Sequence, residues 1–208
     1  AKQIWAGLLG VLNARQSAKL MRRCGCGHLA GANLVLRLLE VPGRALASLG
    51  HEVTLFIPRA EAYLNDAAAR ADIPRLFGEQ LTFEIVFVPR IKIFGRLEVL
   101  GSVRGTLKAL RQHQLDLIYT RNPWSVIFLP RVGVPYIFEA HEENLHDRSH
   151  LLGEFLKRRI VRNSHRPSCA LVVTISEALR KIWEGYGVPH NNLLAAHDAV
   201  VAAFLAHQ

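Results

Sequence analysis

The densest cluster of titratable side chains in this sequence is Phe138-Glu139-Ala140-His141-Glu142-Glu143-Asn144-Leu145-His146-Asp147-Arg148-Ser149-His150, thirteen residues with three histidines and four carboxylates. An imidazole with an unperturbed pKa of about 6.5 can bind a sugar hydroxyl or act as a base near neutral pH. His141 is the candidate for that work because it stands at the tip of a strand-like run, Pro135 to Glu139. The plain alternative is a solvated acidic loop without chemistry, and it weighs more for His146 and His150. Metal chemistry fits less well. The spacing from His141-Glu142 to His146 is one residue too long for H-E-x-x-H, so the two imidazoles cannot share a helical face around zinc. His146 and His150 can share a face, but no third ligand has an assured position.

Three other constellations can carry chemistry. Tyr119-Thr120-Arg121-Asn122-Pro123-Trp124 ends a second apolar run and offers a guanidinium and an indole to an anion or a sugar face. A structural aromatic turn is the competing reading for Trp124. Gly25-Cys26-Gly27-His28-Leu29-Ala30-Gly31 reads G-x-G-x-x-x-G ahead of a helical pattern, where backbone amides can approach a phosphate. A dinucleotide site needs a strand directly before the glycines and an acidic residue ending the next strand. Here Lys19-Leu20-Met21-Arg22-Arg23 precedes them and the next strand stops at Pro58, so a generic anion loop or a flexible one outweighs nicotinamide or flavin binding. Last, Lys157-Arg158-Arg159 with Arg162 and Arg166 makes a basic helix from Leu151 onward. Leu151, Leu152, Phe155, Leu156 and Ile160 share an arc, but Arg159 and Arg162 project into it, so a solvated or cleft-facing helix fits better than a membrane anchor.

These residues need elements to position them. Glu52 to Ile57, Leu81 to Val88, Asp116 to Thr120, Pro135 to Glu139 and Ala170 to Ile175 are short runs rich in β-branched and aromatic residues, several bounded by proline. They are near-continuously apolar, as parallel strands covered on both faces must be. Leu193 to Ala196 is a sixth, and Ile4 to Leu12 the first strand in chain order. Between them lie helical periodicities: Leu34, Leu38, Ala45 and Leu49, then Leu97, Leu100, Leu107 and Leu110. Pro42-Gly43 should kink the first of these, and Gly50 stands where a left-handed C-terminal cap belongs. Ser176 can cap a helix running through Leu179, Ile182 and Trp183 to Gly185 or Gly187 by accepting from the amide of Ala178 or Leu179. Strands alternating with helices imply an α/β fold.

With 208 residues, half of them hydrophobic, the chain can bury one sizeable core and is not disordered by composition. Lysine and arginine number 26 against 17 acidic residues, a net charge of +9 that favours an anionic partner: a phosphate ester, nucleic acid or acidic lipid. Three cysteines are too few for a disulfide framework, and Cys24-Gly25-Cys26 lacks the second pair of a zinc site, which suits a reducing compartment. No apolar run approaches the roughly 20 residues of a membrane span. Ala1 to Val11 is apolar, but Asn13-Ala14-Arg15-Gln16 makes a poor cleavage site for an exported protein.

Several segments, in order, resemble the N-terminal lobe of GT-B glycosyltransferases, specifically the retaining family 4. They are Ala45-Leu46-Ala47-Ser48-Leu49-Gly50-His51-Glu52-Val53-Thr54-Leu55, Asp116-Leu117-Ile118-Tyr119-Thr120-Arg121, Gly133-Val134-Pro135-Tyr136-Ile137-Phe138-Glu139-Ala140-His141-Glu142, Val173-Thr174-Ile175-Ser176-Glu177-Ala178-Leu179 and Gly187-Val188-Pro189. The resemblance implies a three-layer Rossmann-like lobe with a mostly parallel sheet, spanning residues 1–208. It also implies an acceptor-binding role here and a nucleotide-sugar site in a C-terminal lobe that this chain lacks. His141 matches the family's acceptor-site histidine and is the expected catalytic residue. Gly27 and Gly31 would face the donor phosphates, with Arg121 and Glu139 as substrate-binding neighbours. Asp198-Ala199-Val200-Val201, then Phe204, resembles the segment leading into the second lobe, although Ala199 and Val201 depart from its D-G-V-D pattern.

The expected function is therefore the acceptor-binding half of a retaining glycosyltransferase, moving a hexose from a nucleoside diphosphate sugar to an acceptor hydroxyl. It would use no metal or other cofactor and be inactive without its second lobe. Expected partners are a sugar or lipid-linked acceptor, an anionic membrane surface touched peripherally, and the missing lobe or a second copy of the chain. Nucleic acid is not expected, because the basic residues are scattered and no recognition motif is present. The expected compartment is the cytoplasm, with contact at the inner membrane face left open. The rival reading is a non-enzymatic basic module that binds an anionic glycan, a lipid headgroup or a protein.

Overall fold

The structure, a computed structural model, describes residues 4–6, 46–48, 50–58, 67, 71, 83–88, 98–143 and 150–196. Within these the chain runs β1 (Ile4–Ala6), β2 (Thr54–Pro58), β3 (Glu84–Val88), α1 (Glu98–Leu110), β4 (Leu117–Thr120), α2 (Pro123–Phe128), β5 (Tyr136–Ala140), α3 (His150–Ser164), β6 (Cys169–Thr174), α4 (Glu177–Gly185) and β7 (Leu193–Ala195). Every strand pairing is parallel. Five strands form one sheet in the order β1-β4-β5-β6-β7, and β2 pairs with β3 in a second.

The apolar runs predict this layout because parallel strands bury both faces. Successive residues serve opposite faces: Tyr119, Ile137 and Val173 enter one core cluster, while Ile118, Tyr136, Phe138 and Val172 enter the other. On β2, Leu55 and Ile57 join the first cluster and Phe56 the second. Two hydrophobic layers around a parallel sheet make the three-layer α/β lobe expected from the sequence. Leu46, in the helical stretch 46–48, covers the first face. Ile160 of α3 with Leu179 and Trp183 of α4 covers the second.

Boundaries shift by a residue or a few. β2 begins at Thr54 and ends with Pro58. The expected strand from Leu81 starts at Glu84, and of the expected Ile4 to Leu12 strand only Ile4–Ala6 lies within the described residues. Gly50 has φ 84°, the left-handed cap expected after the first helix. Pro42-Gly43 falls outside the described residues. Ser176 caps α4 as expected, its hydroxyl accepting from the Leu179 amide at 3.2 Å.

The apolar arc expected on α3 is corrected. Leu156 and Ile160 are buried, but Leu151 is 81% and Phe155 42% exposed, and Leu152 also faces out. The buried stripe is Gly153, Leu156, Lys157, Ile160, Asn163 and Ser164, spaced three and four apart as a core-facing helix requires. The polar members are satisfied: Asn163 donates to the Val126 carbonyl at 2.8 Å, and the Ser164 hydroxyl to that of Val161 at 2.7 Å. Counting apolar residues alone hides a stripe built partly of polar ones.

Candidate functional site

Parallel neighbours β4 and β5 end side by side, with Thr120 paired to Phe138, so the residues just beyond them meet at the carboxyl edge of the sheet. Ligands of open α/β sheets bind at this edge. Past β4 the backbone turns at once: the Asn122 amide donates to the Thr120 hydroxyl at 3.1 Å, and Asn122 Oδ1 accepts from the Trp124 amide at 2.8 Å, capping α2. Pro123 follows at the first helical position, where its missing amide is harmless. This turn fixes Arg121.

Glu139 on β5 is only 1% exposed. A buried carboxylate is costly unless paired and hydrogen-bonded, and Arg121 supplies the pairing. Its Nε donates to Glu139 Oε2 at 2.9 Å and its Nη2 lies 2.9 Å from Oε1, a fork matched to a carboxylate. His141 completes the group. Its Nε2 stands 2.5 Å from Glu139 Oε1, a close polar contact that is off the angle of a hydrogen bond. Nε2 itself is shielded from solvent, while the His141 side chain as a whole is 33% exposed, so the solvent-facing part of the ring is its other edge.

A second cluster fastens the loop after His141. Tyr186, at the end of α4, donates its hydroxyl to Glu143. Lys157, buried on α3, donates to the Tyr186 hydroxyl at 3.2 Å, lies 4.6 Å from the centre of the Tyr186 ring, and pairs with Glu154 at 2.6 Å. The Glu154 contact holds the Lys157 ammonium above the ordinary lysine range, and Lys157 in turn holds Glu154 below the ordinary carboxylate range. The hydrogen bond to Glu143 raises the Tyr186 phenol. Trp183 sits behind this cluster, fully buried, edge-on to both Phe138 of β5 at 6.2 Å and Tyr186 at 6.0 Å.

Of the residues singled out by the sequence, Arg121, Glu139 and His141 converge. His150 does not join them: it starts α3 with its side chain 86% exposed, 4.0 Å from Glu154. Gly27, Gly31 and His146 lie outside the described residues. Sequence reasoning missed Lys157 and Tyr186; Lys157 reads as one more cation in a basic run, and nothing local marks its burial. Among the described residues, no three His, Cys, Asp or Glu side chains are placed to hold a metal ion, and no helix is long and apolar enough to cross a membrane.

No curated protein matches the chain. Solved structures share its fold. The Anabaena HepE protein, crystallised with UDP and glucose, is 14% identical with a TM-score of 0.52, over 94% of this chain and 44% of its own. A ugt transferase from Siraitia grosvenorii in complex with UDP is 9% identical with a TM-score of 0.53, over 94% of this chain and 50% of its own. LpCGTa in complex with UDP is 15% identical with a TM-score of 0.53, over all of this chain and 57% of its own. This chain thus spans about half the length of each. At such identities the likeness is one of fold. The family is given by the sequence itself, since residues 42–200 match the model of Glycosyltransferase Family 4. The chain belongs to Glycosyltransferase Family 4, and its fold is that of the N-terminal Rossmann-like lobe of a GT-B glycosyltransferase.

Proposed function

We propose that this chain is the acceptor-binding half of a retaining glycosyltransferase, one that moves a hexose from a nucleoside diphosphate sugar to an acceptor hydroxyl and needs a donor-binding lobe to turn over. The observation that carries the reading is the Arg121–Glu139–His141 group at the carboxyl edge of the sheet, in a chain of this family. A partly exposed imidazole backed by a buried ion pair is suited to hold a hydroxyl. Gly27 and Gly31 are assigned to the donor phosphates, and no metal or other cofactor takes part. The test is release of nucleotide from a panel of nucleoside diphosphate sugars by the two-lobe protein. Transfer is expected in the native protein and a severe loss in His141→Ala with an unchanged circular dichroism spectrum. Full transfer by that variant, or no transfer from any donor, overturns the reading.

A second reading accompanies it, carried by the exposed face of α3. Leu151, Phe155, Arg158, Arg159 and Arg162 follow one another at helical spacing on that face, all exposed. Arg159 stacks over the Phe155 ring at 5.3 Å. Apolar groups flanked by cations match the headgroup region of an anionic membrane, and a net charge of +9 adds to the attraction. Co-sedimentation with phosphatidylglycerol vesicles is expected, falling at least several-fold in Phe155→Ser/Arg159→Glu. Equal binding to neutral phosphatidylcholine vesicles, or no binding to either, excludes the contact. It would send the same basic surface to a glycan or a protein.

A further inference from the structure

We infer that Glu139, locked by Arg121, is a positioning residue that fixes the tautomer of His141: the ring proton sits on Nε2, the nitrogen beside the carboxylate, and the Nδ1 lone pair is offered to a hydroxyl of the bound sugar. This rests on the acceptor role proposed for His141 and adds the ring nitrogen that performs it, together with the kind of group it takes.

The chain of reasoning starts from what each group can do. A carboxylate only accepts hydrogen bonds, whereas a neutral imidazole has one donor nitrogen and one acceptor nitrogen. Glu139 Oε1 and His141 Nε2 are 2.5 Å apart. Were Nε2 the acceptor, its electron-rich nitrogen would crowd a carboxylate oxygen at that distance inside the protein, where repulsion between negative atoms is poorly screened, whereas a proton on Nε2 leaves that side of the ring positive. The proton therefore belongs on Nε2. Glu139 cannot swing away, because its other oxygen is held by Arg121 Nε and the residue is buried in the middle of the parallel sheet, opposite Val173. With Nε2 committed and shielded, the neutral ring has one acceptor left, Nδ1, on the edge that carries its solvent exposure. An acceptor nitrogen takes a hydroxyl and repels a fully ionised phosphate oxygen. His141 is thereby selective for the alcohol function of a sugar, leaving anionic groups to cations and backbone amides.

The experiment reads the tautomer directly and needs no transfer activity. A long-range proton–nitrogen correlation spectrum of the nitrogen-15-labelled 208-residue chain, recorded above the histidine titration range, shows which ring nitrogen of His141 carries hydrogen; His141→Gln assigns the signal. The expected native spectrum has Nε2–H alone. In Glu139→Gln the amide can present either its oxygen or its NH2 to the ring, so the Nδ1–H form is expected to rise at least several-fold. Glu139→Asp keeps a carboxylate and is expected to restore Nε2–H. Nδ1–H as the main form of the native chain overturns the inference, as does a folded Glu139→Gln whose tautomer is unchanged. If Glu139→Gln fails to fold, the native and Glu139→Asp spectra still decide. A protein with the expected tautomer but no transfer from any donor in its two-lobe form would count against the transferase reading alone.

Discussion

Removing Arg121 should be the most damaging single substitution at the sheet edge, for reasons that can be worked through. Its guanidinium contacts both oxygens of a carboxylate that is 1% exposed, and its own side chain is only 11% exposed. Arg121→Ala takes the forked guanidinium away from that buried carboxylate while the imidazole of His141 stays beside it. Breaking one partner of a buried pair costs about 3–5 kcal/mol. The nearness of Glu139 to the surface-facing His141, which can recruit water, puts the expected loss at the low end, ~3 kcal/mol. Replacing both groups, Arg121→Met with Glu139→Met, removes the uncompensated charge and should cost less than the single change. The double-mutant cycle would then show ~2 kcal/mol of coupling. Urea unfolding followed by fluorescence reads this out: at a slope of about 2 kcal/mol per molar, Arg121→Ala should move the midpoint down by about 1.5 M. A shift worth less than ~1 kcal/mol, within the usual range of surface pairs, would refute the claim that this pair is buried and mutually dependent.

Other expectations follow from the same geometry. Ser176→Ala removes the side-chain acceptor of the Leu179 amide and should cost about 1 kcal/mol by urea unfolding; no change would mean that the cap is replaced by water. The Cys169 thiol is buried and pushed up to about 11 by desolvation, so it stays protonated at pH 8. The peptide containing it should therefore resist iodoacetamide in the folded chain and react in urea, as read by mass spectrometry. Because Glu154 is held below its ordinary 4.5 by Lys157, its contribution is present above that pH and is lost as pH falls through the lower folded value. Lys157, held above 10.5 by Glu154, contributes below that pH and loses its contribution as pH rises through the higher folded value. Glu154→Gln should flatten both limbs of a plot of unfolding midpoint against pH, and an unchanged acid limb would remove Glu154 from the account.

The strands were legible because parallel strands buried on both faces leave uninterrupted apolar runs; Tyr136–Ala140 and Cys169–Thr174 lie within a residue of their expected bounds. The Ser176 cap and the Gly50 turn were legible for a local reason, since a side-chain acceptor or a positive φ is a property of one residue. His141 and Arg121 could be named from their places at run ends, and Glu139 from the family resemblance. The Arg121–Glu139 contact depends on which residue of β4 lies beside which of β5, and two near-continuously apolar runs do not say so. Lys157 was unreadable for a different reason. Its burial follows from Tyr186 and Glu154 covering it, a three-body arrangement between α3 and the end of α4, and a lysine flanked by two arginines looks like solvent-facing charge.

Trp183 has a consequence for how inherited variation in this chain would be interpreted. It touches no candidate ligand group, yet its ring is wedged between Phe138, one residue before Glu139, and Tyr186, which holds Glu143. A smaller residue there would loosen the strand that carries the carboxylate and the tether of the histidine loop together. A screen for lost activity would thus collect alleles at Trp183, Phe138 and Tyr186 in the same phenotypic class as alleles at His141. Separating them requires measuring how much protein survives in the cell, since only the former should also be depleted by quality control.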